Sequence, residues 1–203
     1  MNRFLTLLLI FGIAAPAIAA PAAAAESAAP LTVGTAAPDA TARDAVGNAT
    51  DLGAIVRGKP SVLIFYRGGW CPYCNRHLEA LQEVEQPLLD LGYQIIAVSP
   101  DKPATLQPAA EKNNLSYRLL SDRGMAAASA YGVAFCVPED IVEKYGKWNI
   151  DLAPVPGDEG KRWLPVPAVF LINDGSVRFV HSDADYKVRI ATEDLLTAAK
   201  SAR

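Results

Sequence analysis

Cysteine and histidine are scarce in this chain, with three of the first and two of the second in 203 residues. Three cysteines beside an apolar share of 51% do not make a disulfide scaffold, so the core must come from packing. So few ligands, with no second paired motif, also argue against a structural zinc site. Charge of one sign is lacking too: 19 basic residues against 22 acidic ones leave −3, and the basic ones are scattered. That excludes the electrostatic footprint of a nucleic-acid binder or of a protein held on acidic lipid. Beyond the first residues no run is long and apolar enough to span a bilayer. What remains has the size of one globular domain, with no cofactor expected and with a small molecule or another thiol protein as partner.

The start of the chain has the pattern of a secretory signal. Arg3 supplies the charged end, residues 4–13 the apolar run, and Ala17-Ile18-Ala19 the small residues of a peptidase site. The expected organisation is a signal peptide over residues 1–19, with cleavage as late as Ala25, then a flexible Ala/Pro lead-in over 20–30, then one domain over 31–203. The mature protein is expected to be exported, periplasmic in a Gram-negative bacterium and otherwise secreted, with no membrane span after cleavage.

Gly47-Asn48 between β-compatible pieces predicts a hairpin over 39–51, and residues 51–56 fit a helical turn. Residues 61–66 form a continuous apolar, β-branched and aromatic run, the pattern of a strand buried on both faces. After Gly68-Gly69, the residues Cys74, Leu78, Leu81, Val84, Leu88 and Leu91 recur at spacings of three and four. That predicts one amphipathic helix, bent or shortened by Pro87 and ended by Gly92. Strands are expected over 93–99 and 117–121, helices over 104–113, 124–131, 139–145 and 192–200, and a hairpin over 168–172 and 177–181. Alternating strands and helices imply a mixed sheet covered on both faces. Residues 146–165, rich in Pro and Gly and without period, are expected to be a loop carrying Trp148, Arg162 and Trp163.

The chemistry sits where a strand, a glycine turn and Cys71-Pro72-Tyr73-Cys74 open a helix. Pro72 suits the first helical position, which leaves Cys71 beside unpaired backbone N–H groups and Cys74 within the first turn. Those groups and the positive end of the helix dipole favour a thiolate, the reactive form of cysteine. Two intervening residues also let the sulfurs meet as a disulfide. Haem attachment fails, because Asn75 stands where a histidine must follow the second cysteine. His77 lies on the face of Cys74, either helping a thiolate or simply exposed, and of the flanking arginines Arg67 is the better source of positive charge.

Phe65-Tyr66-Arg67-Gly68-Gly69-Trp70-Cys71-Pro72-Tyr73-Cys74-Asn75 resembles the signature of the peroxiredoxin-like branch of the alkyl hydroperoxide reductase and thiol-specific antioxidant family. The likeness continues through Ala97-Val98-Ser99-Pro100-Asp101, Leu119-Leu120-Ser121-Asp122, Tyr131-Gly132-Val133 and residues 164–172. It implies an α/β thioredoxin-like three-layer sandwich with a mixed central sheet. It also implies a thiol-dependent peroxidase acting on hydrogen peroxide or organic hydroperoxides and recycled by an external thiol, a thioredoxin-like protein or a small one. In that family a proline opens the active-site loop, a threonine or serine follows four residues later, and the attacking cysteine comes three after that. Those places hold Arg67, Cys71 and Cys74, so the resemblance makes Cys74 the attacking thiol and Cys71 a candidate resolving one. The loop is also similar to those of thioredoxins and glutaredoxins, a frame in which Cys71 attacks a small or protein disulfide and Cys74 resolves. The resemblance further implies that Pro167 is a cis proline facing the pair. The alternatives to a peroxidase are an exported thiol-disulfide oxidoreductase and a metal-binding module of Cys71, Cys74 and His77. Cys136 is expected to be a small packed residue outside the redox cycle.

Overall fold

The computed structural model describes residues 20–202, so the signal peptide expected over residues 1–19 lies outside the described residues. Strands β1 (Thr41–Arg43) and β2 (Ala49–Asp51) form the expected hairpin. Asp51 then caps α1 (Leu52–Gly58), its carboxylate accepting the Ala54 N–H at 2.8 Å. β3 (Ser61–Phe65) is buried along its whole length and leads through a glycine turn into α2 (Pro72–Ala80). The single helix expected from Cys74 to Leu91 is in fact two, because a tighter turn over Leu81–Val84 separates α2 from α3 (Glu85–Asp90). Pro87 is the physical reason: it has no N–H to give and its ring crowds the carbonyl four residues back, inside that turn.

The chain continues as β4 (Gln94–Ser99), α4 (Pro103–Lys112), β5 (Arg118–Ser121), α5 (Ala126–Ala130), β6 (Ala134–Cys136), α6 (Glu139–Lys147), β7 (Ala153–Val155), β8 (Asp158–Pro165), β9 (Ala168–Asn173), β10 (Ser176–Ser182) and α7 (Thr192–Ser201). Seven strands form one mixed sheet in the order β10-β9-β3-β4-β5-β1-β2, with β3, β4 and β5 parallel and the other neighbours antiparallel. Side chains alternate across it. Leu63, Phe65, Ile96, Val98 and Phe170 pack with Leu52, Val56, Ala127 and Ala128 of α1 and α5. Val62, Ile64, Ile95, Ala97 and Val169 pack on the opposite face with Leu78, Leu88, Leu106 and Leu195 of α2, α3, α4 and α7. The result is the three-layer α/β sandwich. No helix among the described residues is long and apolar enough to cross a membrane.

Two segments differ from expectation. Residues 146–165 are not a loop: β7 and β8 form a hairpin over Gly157 and join β6 in a small antiparallel sheet that buries Trp163. Pro154, Pro156 and Gly160 interrupt the alternation that would have marked these strands. The lead-in over 20–30 is not a free tether either. The Ala22 N–H donates to the Ala134 carbonyl at 2.9 Å, the Cys136 N–H to the Ala22 carbonyl at 2.8 Å, and the Leu31 N–H to the Tyr131 carbonyl at 3.1 Å. Its composition offers no apolar face, but pairing with a strand edge needs only backbone N–H and C=O.

Candidate active site

Because β3 is buried on both faces, the chain must leave the sheet abruptly after Phe65 to reach α2. Gly68 turns it at φ +143°, where a Cβ would run into the Trp70 indole and the Asp101 carboxylate. The turn is then pinned: the Gly69 N–H donates to Asp101 Oδ2 at 2.8 Å, and the Asn75 amide donates to the Gly69 carbonyl at 2.9 Å. Asp101, just past the end of β4, is itself held by the Ser99 hydroxyl at 2.9 Å.

Cys71 is the N-cap of α2 and Pro72 its first residue. Cys71 Sγ accepts the Cys74 N–H at 3.4 Å, the place an aspartate or serine oxygen takes at an ordinary helix start. Cys74 Sγ lies 2.7 Å away and donates to it. Both are free thiols, and each residue is only 1% exposed. Sulfurs this close share one negative charge and titrate as a pair. The hydrogen bond from the Cys74 thiol, then the Cys74 N–H and the charges of Arg67 and Arg189, hold Cys71 down to about 6 against the opposing effect of burial. Donating that hydrogen bond, together with burial, pushes the Cys74 thiol far up.

Arg67 is 5% exposed and makes no salt bridge among the described residues. Its guanidinium donates to the Tyr145 hydroxyl and sits 4.0 Å from the centre of the Tyr186 ring and 5.1 Å from that of Trp70. A buried cation without a carboxylate needs another anion, and the shared thiolate is the one at hand. A second arginine, unforeseen in the sequence, enters from the segment before α7: Arg189 Nη2 donates to Cys74 Sγ at 3.5 Å.

His77 takes neither role expected of it. It is buried on α2, and burial, then the charges of Arg189 and His181, lowers it to about 4, so it is neutral at pH 7 and is no cation for a thiolate. No group of three or more His, Cys, Asp or Glu among the described residues is placed to hold a metal ion, so the proposed module of Cys71, Cys74 and His77 lacks its donor set. Arg76 is exposed and lies over the Tyr73 ring instead of facing the sulfurs. Cys136 is half-buried on β6 and packs against the cluster on the other face of the large sheet from the pair.

Pro167 needs a correction: no peptide bond among the described residues is cis. The Val166 N–H donates to the Val133 carbonyl at 2.8 Å, Pro165 pairs with Ala134 and Ala168 with Phe65, so the chain runs extended from β8 into β9. The trans isomer, favoured by about 0.5–1 kcal/mol for a bond before proline, serves that path. Pro167 still faces the site, lining a cavity of about 230 Å³ with Arg67, Tyr145 and Tyr186. A second cavity of about 330 Å³ opens over Cys71, walled by Trp70, Tyr73, Tyr145, Trp148 and Tyr186 with Lys144 at its rim.

The sequence pattern of the AhpC/TSA family matches residues 33–180, most of the domain and all of this site except Arg189 and Tyr186. The chain belongs to the AhpC/TSA family. Among its relatives, a chloroplastic peroxiredoxin Q of Oryza sativa subsp. japonica is 32% identical over 100 residues, 49% of this chain and 46% of that protein. The peroxiredoxin named bcp of Haemophilus influenzae is 33% identical over 104 residues, 51% of this chain and 66% of that protein. The chain spans about half the length of the first of these relatives. Solved structures agree on the AhpC/TSA fold. Peroxidoxin BcpB of Mycobacterium tuberculosis superposes with TM-score 0.63 at 20% identity, covering 84% of this chain and 97% of that one. Peroxiredoxin Q of Xanthomonas campestris gives 0.62 at 22%, covering 85% and 98%.

Proposed function

We propose that this AhpC/TSA protein is an exported thiol peroxidase that reduces hydrogen peroxide or an organic hydroperoxide with the Cys71–Cys74 pair. The observation that carries this reading is the pair itself: two free thiols 2.7 Å apart at the start of α2, sharing one charge beside two arginines that make no salt bridge among the described residues. A thiolate attacks the outer oxygen of the hydroperoxide, the O–O bond breaks, and the alkoxide or hydroxide that leaves takes a proton. The sulfenic acid then condenses with the second thiol, giving a disulfide and water. Overall one hydroperoxide and two thiols become one alcohol, or a second water for hydrogen peroxide, plus water and a disulfide. An external dithiol, a thioredoxin-like protein or a small molecule, must return the pair to the reduced state.

The relatives bear the name peroxiredoxin, which supports the same reading. So does access. Cysteines 1% exposed beneath an aromatic wall admit a small molecule more readily than the disulfide of a folded protein, which weighs against a protein thiol-disulfide oxidoreductase. Export rests on the pattern of residues 1–19, and in a Gram-negative cell it places the protein in the periplasm. The test is peroxide consumption by the purified reduced chain with excess dithiothreitol. Turnover in the wild type, lost when Cys71 and Cys74 are both replaced by Ser, is expected; a rate no greater than that of the free dithiol would sink the proposal.

A further inference from the structure

We propose that Cys71, not Cys74, is the sulfur that attacks the hydroperoxide, and that Cys74 is the resolving thiol. This reverses the assignment that follows from alignment with the family signature. It rests on the peroxidase reading but is decided by access and by hydrogen-bond direction within the pair.

Access separates the two residues. The 330 Å³ cavity is lined by Cys71 and not by Cys74. Behind Arg189, the void bounded by His77, His181 and Arg189 measures about 10 Å³, roughly the least that holds a single water, and neither cysteine lines it. A peroxide that enters the larger cavity therefore meets Cys71 and not Cys74.

Within the pair the hydrogen bonds run the same way, although Cys74 Sγ itself accepts from Arg189 Nη2 at 3.5 Å and from the Arg67 backbone N–H. The N–H and the thiol of Cys74 both donate to Cys71 Sγ, at 3.4 and 2.7 Å. The negative charge is thereby placed on the sulfur at the mouth of α2, and the proton on the one a turn deeper. Thr or Ser at this place would be a hydroxyl that orients a neighbouring thiolate. Here a second thiol occupies it and takes the charge itself, and Arg67 is the buried cation beside it.

Arg189 then has a separate task. Once Cys71 carries a sulfenic acid, the charge that held Cys74 protonated is gone, and Arg189 at 3.5 Å favours the Cys74 thiolate needed for the second step. Cys74 S⁻ attacks Cys71 sulfur, the S–S bond forms, and hydroxide leaves to be protonated as water. Starting from one thiolate and one thiol, a single proton from solvent balances the oxidative half of the cycle, and reduction of the disulfide by the external dithiol returns it.

The test uses the mature chain in two arms. In the first, reduced Cys74→Ser and Cys71→Ser proteins receive one equivalent of hydrogen peroxide in the presence of dimedone, and the adduct is located by peptide mass. The expected result is an adduct on Cys71 in Cys74→Ser. Cys71→Ser should consume its first equivalent about 30-fold more slowly than wild type, the ratio of a full thiolate to the few per cent an ordinary cysteine carries at pH 7. The second arm needs no peroxide. Reduced wild-type protein is treated with limiting iodoacetamide at pH 7, and the label is expected on Cys71. A dimedone adduct formed on Cys74 at the wild-type rate, or iodoacetamide label on Cys74 ahead of Cys71, would overturn the assignment. Absence of peroxide consumption in the wild type would overturn the peroxidase reading instead, and the alkylation arm would still rank the two sulfurs.

Discussion

The Arg67 guanidinium donates a hydrogen bond to the Tyr145 hydroxyl, joining residues 78 positions apart in the chain. Through it the loop that carries Cys71 is fastened to α6, the element that roofs the cavity. The rings continue the contact: Tyr145 lies 5.2 Å from Trp70 and 6.0 Å from Trp148, centre to centre. A buried guanidinium thus has its place set by a phenol and by ring faces instead of by a carboxylate, which leaves its charge available to a thiolate.

Replacing Tyr145 with Phe keeps the ring and removes the acceptor. A hydrogen bond to a charged group contributes about 1.5–3 kcal/mol, and its loss leaves a buried guanidinium N–H without a partner. Urea unfolding of reduced Tyr145→Phe is expected to show a loss of that size, with the iodoacetamide rate of Cys71 falling at the same time. An unchanged midpoint would mean that the ring contacts alone hold Arg67.

The pair has a defined pH signature. With Cys71 held near 6, its alkylation rate should rise through about pH 6 and level off by pH 8, where an ordinary cysteine near 8.5 is still rising. Stability follows by linkage. Between about 6 and 8.5 the unfolded chain keeps a proton on Cys71 that the folded chain has released, so the reduced protein gains stability as pH rises and loses it as pH falls through 6. Above 8.5 the trend reverses, because Cys74 stays protonated in the folded state. Urea midpoints of the reduced protein from pH 5 to 10 should show this maximum, and Arg67→Met should move the alkylation curve to higher pH.

Much of this arrangement was legible in the sequence, and the parts that were not share a cause. β3, β4 and β9 are continuous apolar runs, and Pro72 after Cys71 marks the start of α2, so the central sheet and the cysteine pair follow from local pattern. Arg189 is a lone arginine 115 residues beyond Cys74, and no spacing rule ties it to the site. Tyr145 and Trp148 reach the cavity only because α6 folds over it. β6, β7 and β8 are short or broken by proline, which hides their period. The cis form of Pro167 came with the resemblance, and the extended run through Val166 overrides it.

Trp148 is 58% exposed and lines the cavity, with the Lys144 ammonium 5.1 Å from its ring centre. An exposed wall does little for the fold and much for a bulky substrate. Trp148→Ala is expected to raise KM for cumene hydroperoxide about 5-fold, the equivalent of about 1 kcal/mol of lost apolar contact. Hydrogen peroxide, too small to touch the wall, should show kcat/KM within a factor of about two of wild type. Equal effects on both substrates would show that the indole shapes the catalytic loop instead of the cavity.

Gly68 and Gly47 make a matched pair of tests. Both have positive φ, +143° and +92°, but a Cβ at Gly68 meets the Trp70 indole and Asp101, whereas at Gly47 nothing lies within 4 Å. Each Gly→Ala change costs about 1–3 kcal/mol of backbone strain. Only Gly68→Ala should also displace the loop, lowering peroxide turnover at least tenfold while Gly47→Ala stays near wild type. If both variants keep full turnover, the Gly69 to Asp101 contact does not position Cys71.

The ordered lead-in ties processing to stability. Ala22 exchanges two backbone hydrogen bonds with the β6 edge, and Gly132, at φ +71°, is held against the Ala29 carbonyl so closely that a Cβ would overlap it. Ala24, Ala25 and Glu26 also form one wall of the cavity that Arg67 and Pro167 line. Cleavage after Ala19 keeps all of these contacts, whereas cleavage after Ala25 removes Ala22 and part of that wall. Under the export proposed above, the processed chain is therefore expected to begin at Ala20, which its mass would establish; a mass starting at Glu26 would refute it. Purified chains starting at Ala20 and at Leu31 provide the energetic counterpart. Two backbone hydrogen bonds contribute about 1 kcal/mol each, part of it offset by the entropy of ordering the segment. A net loss of about 1 kcal/mol lowers Tm by roughly 2–4 °C in a chain of this length. Equal Tm values for the two chains would show that the lead-in rests on the domain without stabilising it.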